Sequence, residues 1–264
     1  MEASNIIHPE FLDGKKNIMN GKFNFFTEKN IFKKRYHFLK FVEKICKKNN
    51  IVFILDEMIT GFRWALGGAQ EFYNINPDIS TFGKAMANGY SVSAVVGKRK
   101  FMELGSIEKK GNKRLFLLSS THGSEMNSLA AMIATIDFIK SKSVIPKIWD
   151  YGNKLIKKFN EISRSHGIEK YIYMDGVPCS PYYVTKDINL KNSFEMRTLF
   201  QQEMIKKGIF MPWVALSNAH SLKILNTTLS ALKDAIIVYK KALIKGPKKY
   251  FKGNTIKPVF RKFN

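Results

Sequence analysis

Five consecutive apolar residues, Ile51-Val52-Phe53-Ile54-Leu55, follow directly on a helical pattern and stop at two acids, Asp56-Glu57. Upstream, Phe38, Phe41, Val42 and Ile45 recur at helical spacing, and Lys47, Lys48, Asn49 and Asn50 close the pattern, so a helix is predicted over 36–50. A short run without polar alternation, placed right after an amphipathic helix, reads as a buried parallel strand. This helix–strand unit constrains the chain more than any other feature, because it calls for a layered α/β arrangement.

The next segments extend that pattern. Pro77-Asp78 opens a second short run, Ile79 to Phe82, which ends at Gly83-Lys84. Ser91 to Gly97 and Leu115 to Leu118 are further strand candidates. Ser124 or Asn127 suits the cap of a helix carrying Leu129, Met132, Ile133, Ile136 and Ile139. The alternation predicts a mostly parallel sheet with helices. After Pro146 the character changes: helices near 148–163, 194–206 and 222–243 surround short aromatic runs at Tyr171–Tyr173 and Tyr182–Val184. That reads as a smaller α+β unit, so the expected domains are 1–145 and 146–264, the second with a basic tail.

Composition enters as a limit on function. The chain has 264 residues, is 45% hydrophobic and 25% charged, which allows a sizeable core and excludes wholesale disorder. No eighteen-residue apolar stretch occurs, and Met1 to Glu10 lacks a basic region leading into an apolar one, so neither a membrane helix nor a secretory signal is expected. Cys46 and Cys179 form no disulfide framework or metal-ligand spacing, and fit a cytoplasmic chain; Cys46 is expected to be buried on its helix. The 44 Lys and Arg against 21 Asp and Glu leave a net charge of +23, with nine basic and no acidic residues from Ala235 to Asn264. Phosphate contacts could use that charge. It is otherwise scattered over helices and loops, and no helix-turn-helix, zinc or aromatic RNA-binding signature accompanies it. Drift in an A/T-rich genome accounts for it as well.

Three places could carry chemistry. Asp56 stands at the carboxyl end of the predicted buried strand, where ligands gather in open α/β sheets. A carboxylate there can hold a cationic nitrogen, though the position also suits a helix N-cap or an ion pair with Arg63. Lys84 follows a strand directly, among small residues in Gly83-Lys84-Ala85-Met86-Ala87. Crowding there would desolvate the amine and make it nucleophilic, whereas one solvated lysine among many is the plain alternative. Ser119-Ser120-Thr121-His122-Gly123-Ser124 is a hydroxyl-rich loop that suits a phosphate or simple capping. His122 alone suits hydrogen bonding or packing as readily as catalysis.

Taken in order, these segments resemble a known family. Ile54-Leu55-Asp56-Glu57-Met58-Ile59-Thr60-Gly61-Phe62-Arg63, then Gly67-Gly68-Ala69-Gln70, Pro77 to Lys84 and Gly89-Tyr90-Ser91-Val92-Ser93-Ala94, resemble class III pyridoxal-phosphate-dependent aminotransferases, above all the glutamate-1-semialdehyde aminomutase group. The likeness is dense from Ile51 to about Thr135 and thinner to the tail, where Pro258-Val259-Phe260-Arg261-Lys262 resembles a polysaccharide-cluster branch. The resemblance implies a fold-type I large domain plus a small α+β domain, and pyridoxal 5'-phosphate as cofactor. It implies that Lys84 forms the internal aldimine and that Asp56 pairs with the pyridine nitrogen. Met58 would pack on the ring, and Thr121 would reach the phosphate of a neighbouring subunit's cofactor, hence a homodimer. Gln70 receives no role from it.

The resemblance also implies a longer N-terminal region carrying the phosphate cup and a ring-stacking aromatic, neither of which is found before Asp56. The expectations are therefore two. One is a transaminase or aminomutase moving amino groups between small molecules, with a cell-surface polysaccharide precursor as substrate. The other is an inactive truncated fragment, or a subunit that needs a partner supplying the N-terminal half.

Overall fold

A computed structural model describes residues 28–106, 108, 123, 125–250 and 253–257. The chain divides into two compact units, Met1–Ile145 and Pro146–Asn264. In the first, α1 (Glu28–Lys48) leads to β1 (Ile54–Asp56), α2 (Ala69–Phe72), β2 (Ile79–Phe82), β3 (Ala94–Gly97), α3 (Arg99–Met102) and α4 (Met126–Ser141). Strands β1 and β2 pair in parallel with Asp56 opposite Thr81, and β2 and β3 pair antiparallel with Thr81 opposite Val95.

The apolar run therefore forms less strand than its length predicts. The ladder begins only at Ile54, because the Phe53 N–H is taken by the Asp78 side chain rather than by a strand carbonyl. Phe53 is served instead by Asp78: its N–H donates to Asp78 Oδ2 at 2.9 Å, and its carbonyl accepts from Asp78 and Ile79. Ser91–Ser93 likewise stay outside β3, since β2 ends at Phe82 and the register Phe82–Ala94 leaves them nothing to pair with. Asp78 closes the same end of the sheet on the third strand, with a 2.9 Å ion pair to Lys98.

Strands β1 and β2 are buried on one face only, and β3 exposes both Val95 and Val96. Leu55, Ser80 and Phe82 point into a core with Leu39, Phe53, Trp64 and Tyr73. The other face carries Ile54, Asp56, Thr81 and Val95, and is open: Ile54 is 46% and Val95 57% exposed. The expectation of a strand buried on both faces is thus not met among the described residues. Cys46 is also half-buried rather than buried, on a helix whose neighbouring Phe41 and Ile45 are exposed.

The second unit is built on α5 (Val144–Ser165), the hairpin β4 (Ile172–Val177) and β5 (Ser180–Thr185), α6 (Phe194–Lys206) and α7 (Leu222–Lys245). Pro146 sits in the first turn of α5, where its missing N–H would have no helical partner anyway, so it begins the helix rather than preceding it. Along α7, Leu225, Leu229, Leu232, Ile236, Tyr239 and Leu243 alternate spacings of four and three and are all buried. Asn160 of α5 docks on β4 by accepting from Met174 N–H and donating to its carbonyl, both at 2.8 Å. The Tyr239 hydroxyl accepts from Lys186 N–H at 3.0 Å and faces the carbonyls of Lys186 and Tyr171 at 2.8 and 3.1 Å. Burial pushes that phenol far above its usual range. No helix among the described residues is long and apolar enough to cross a membrane.

Candidate active site

Parallel pairing of β1 and β2 brings their carboxyl ends to one edge, where Asp56 lies opposite Thr81 and Lys84 follows three residues later. Asp56 Oδ1 accepts from Met58 N–H at 2.9 Å and from the Thr81 hydroxyl at 3.3 Å. One bond caps the turn leaving β1 and the other reaches the neighbouring strand, so the carboxylate is oriented from both strands. It is half-buried and starts no helix.

Lys84 opens a single 3₁₀ turn, Lys84–Met86, with φ 45°, a backbone state rare for a residue with a Cβ. Met86 and Ala87 beside it are buried, but the Lys84 side chain is exposed. The crowding expected from its small neighbours is therefore absent: they pack inward and turn the lysine outward. Next to it, a Cβ on Gly83 would lie 2.4 Å from Met58 Cε and 2.9 Å from its Sδ. The Met58 thioether thus rests against bare backbone between the two strand ends.

The dominant interaction of this edge was not visible in the sequence. Glu57 is fully buried directly beside Asp56. Its carboxylate accepts from the Thr60 hydroxyl, from Ala69 N–H at 2.8 Å and from Gln70 N–H at 2.8 Å. It serves as the cap of α2, whose own N-cap residue, Gly68, has no side chain. Gly68 adopts φ 84°, and a Cβ there would sit 2.4 Å from Glu57 Oε2. Burial pushes the Glu57 carboxyl above its usual range, the three hydrogen bonds pull against that, and the charge of Asp56 adds to it. Gln70 gains a structural role: its amide donates to Gly67 O at 3.1 Å and accepts from Ser80 Oγ at 2.9 Å. It ties the 57–70 loop to β2.

Beyond the lysine loop, Ser91, Val92, Ser93, Gly123, Glu125 and Ser128 line an open cavity of about 370 Å³. Thr121, His122 and most of the hydroxyl-rich loop, the Leu115–Leu118 strand and the Pro258–Lys262 tail lie outside the described residues. The described residues contain no cluster of three or more His, Cys, Asp or Glu able to hold a metal.

The class III aminotransferase family matches residues 28–206. This chain belongs to the class III aminotransferases. It is 36% identical over 216 residues to glutamate-1-semialdehyde 2,1-aminomutase of Nitrosopumilus maritimus, covering 76% of this chain and 49% of that protein. It is 29% identical over 209 residues to 3-aminobutyryl-CoA aminotransferase of Cloacimonas acidaminovorans, covering 78% and 48%. Among solved structures it resembles the FumI protein of Sphingopyxis sp. MTA144 in its PLP internal aldimine form, with TM-score 0.69 and 23% identity over 79% of this chain and 48% of that one. An omega-transaminase from Sphaerobacter thermophilus is similar at TM-score 0.67 and 19% identity, covering 78% and 48%. The fold is that of the fold-type I pyridoxal-phosphate-dependent transaminases. The chain spans about half the length of the curated relatives it matches.

Proposed function

We propose that this chain carries the lysine and carboxylate of a class III amino-transferring site, and that pyridoxal 5'-phosphate is its cofactor. The observation that carries the reading is the strand register: it sets an oriented carboxylate, Asp56, and an exposed lysine, Lys84, on one edge of one sheet. The residues suit the ring end of the cofactor. Asp56 is fixed from two strands, Lys84 stands clear of its neighbours, and Met58 supplies an apolar surface between them.

When bound, this cofactor offers an aldehyde that condenses with amines and a ring that draws electron density from the substrate α-carbon. Asp56 would hold a proton on the ring nitrogen, because a carboxylate beside that nitrogen favours its charged form. Lys84 Nζ is the base that takes the proton from the substrate α-carbon. Met58 would keep water off one face of the ring. Thr121 is assigned to the phosphate of a second subunit's cofactor, which makes the working form a homodimer. The substrates are small amino donors and acceptors, with a cell-surface polysaccharide precursor as acceptor and a location in the cytoplasm. Residues 1–145 would then be the later part of the cofactor-binding domain, and 146–264 the small domain.

A second reading is favoured by the open sheet face. Ile54 and Val95 expose apolar surface on the face that carries Asp56, and such surface marks an unfilled interface. On this reading the chain is inactive alone and needs a partner polypeptide to close the site.

Titrating the chain with pyridoxal phosphate, and following the absorbance of lysine-bound cofactor, tests the assignment. Lys84→Ala should abolish the saturable component and Asp56→Asn should weaken it. Saturable binding that survives in Lys84→Ala would sink it.

A further inference from the structure

We infer that Glu57 is a positioning residue for Asp56, holding the end of β1 and the 57–70 loop as one rigid frame around the proposed cofactor site. This rests on the assignment of Asp56 above. Three observations carry it. First, Glu57 is adjacent to Asp56 in sequence and points to the opposite, buried side of the strand end, so its anchorage fixes the peptide that aims Asp56. Second, its carboxylate joins three separated places: Thr60 in the first turn after the strand, and the backbone of Ala69 and Gln70 at the start of α2. Third, its main chain extends the ladder beyond β1, with Glu57 N–H donating to Thr81 O at 2.9 Å and Glu57 O accepting from Gly61 N–H at 2.8 Å.

Thr81 is shared by both systems. Its carbonyl receives the Glu57 N–H while its hydroxyl donates to Asp56 Oδ1. A rotation of the 56–57 peptide therefore breaks both links together. The buried carboxylate prevents that rotation, because moving it leaves the Ala69 and Gln70 N–H groups without acceptors.

A glutamine at position 57 keeps the volume but turns an NH2 toward one of those N–H donors. In Glu57→Gln, compared with wild type under conditions where circular dichroism shows both folded, we expect two changes. Pyridoxal phosphate should bind about tenfold more weakly, the scale seen when a group that orients a ligand in a metal site is removed. The pH midpoint of the lysine-bound absorbance should rise, because a loosened Asp56 would no longer hold the ring-nitrogen proton, whose positive charge disfavours protonation of the lysine imine. If Glu57→Gln does not fold, the near-isosteric Thr60→Val removes a single donor and should show the same two shifts in smaller measure. Affinity and pH midpoint equal to wild type in a folded variant overturn the inference while leaving the assignment of Asp56 intact. Absence of saturable binding in the wild type overturns that assignment and, with it, this inference.

Discussion

Replacing Gly68 with alanine should destabilise the first unit severely, and the structure sets the scale. The backbone at Gly68, φ 84° and ψ −157°, lies in a region open essentially to glycine alone. Holding an alanine there costs about 1–3 kcal/mol. The new Cβ would also stand 2.4 Å from Glu57 Oε2 and 2.6 Å from its Cδ, too close for any real contact. The carboxylate must move, and at least one of the Ala69 and Gln70 N–H groups loses its acceptor, for about another 1–3 kcal/mol. The sum, about 2–6 kcal/mol, is a large share of the ~5–15 kcal/mol that holds a typical protein folded. Gly208→Ala is the control. Gly208 has φ 76°, but a Cβ there meets nothing within 4 Å, so only the conformational penalty of about 1 kcal/mol applies. Urea unfolding followed by far-UV circular dichroism should show the Gly68→Ala midpoint lowered by about 0.7–2 M, taking a slope of roughly 3 kcal/mol/M. Gly208→Ala should lose only a few tenths of that unit. Equal midpoints for the two variants would refute the claim that Glu57 fills the space beside Gly68.

Other expectations follow from single contacts. Tyr239→Phe removes the hydroxyl's hydrogen bond to the Lys186 carbonyl, while Lys186 N–H keeps the Tyr171 carbonyl at 2.7 Å, and should lower the stability of the second unit by about 0.5–1.5 kcal/mol, read as a fall in its melting temperature. The Asp78 carboxyl is held below its usual range: partial burial opposes this, but the Phe53 N–H and Lys98 outweigh it. Its stabilisation is complete above the ordinary value of 3.8 and lost as pH falls through the lower, folded value, so Asp78→Asn should flatten the acid limb of a plot of unfolding midpoint against pH. Gly83→Ala should displace the Met58 thioether and weaken pyridoxal phosphate binding with little loss of stability, measurable by cofactor titration beside a melting curve. Ile54→Thr and Val95→Thr should change stability by less than about 0.5 kcal/mol and reduce aggregation in light scattering, because both side chains already face solvent.

Much of the site's frame was legible in the sequence because it depends on local order. Asp56 and Lys84 each follow a short strand-like run, and such runs become neighbouring parallel strands when a connection of suitable length joins them. Helices α6 and α7 were equally plain from their spacing. Three things escaped for a common reason. Glu57 finds its donors twelve and thirteen residues away, and nothing in Asp-Glu says which acid turns inward. The shortened β1 depends on the Asp78 carboxylate, just before the partner strand, taking the Phe53 N–H. The outward Lys84 depends on Ala87 and Met86 filling the space beneath it. Each is a tertiary fact that spacing along one segment does not carry.

The most direct test of the central claim is to incubate the chain with pyridoxal phosphate, reduce with borohydride and map the modified lysines by mass spectrometry. The account predicts that label concentrates on Lys84 and that Asp56→Ala diminishes it there while leaving other lysines unchanged. Label spread over the many exposed lysines, with Lys84 undistinguished, would contradict it.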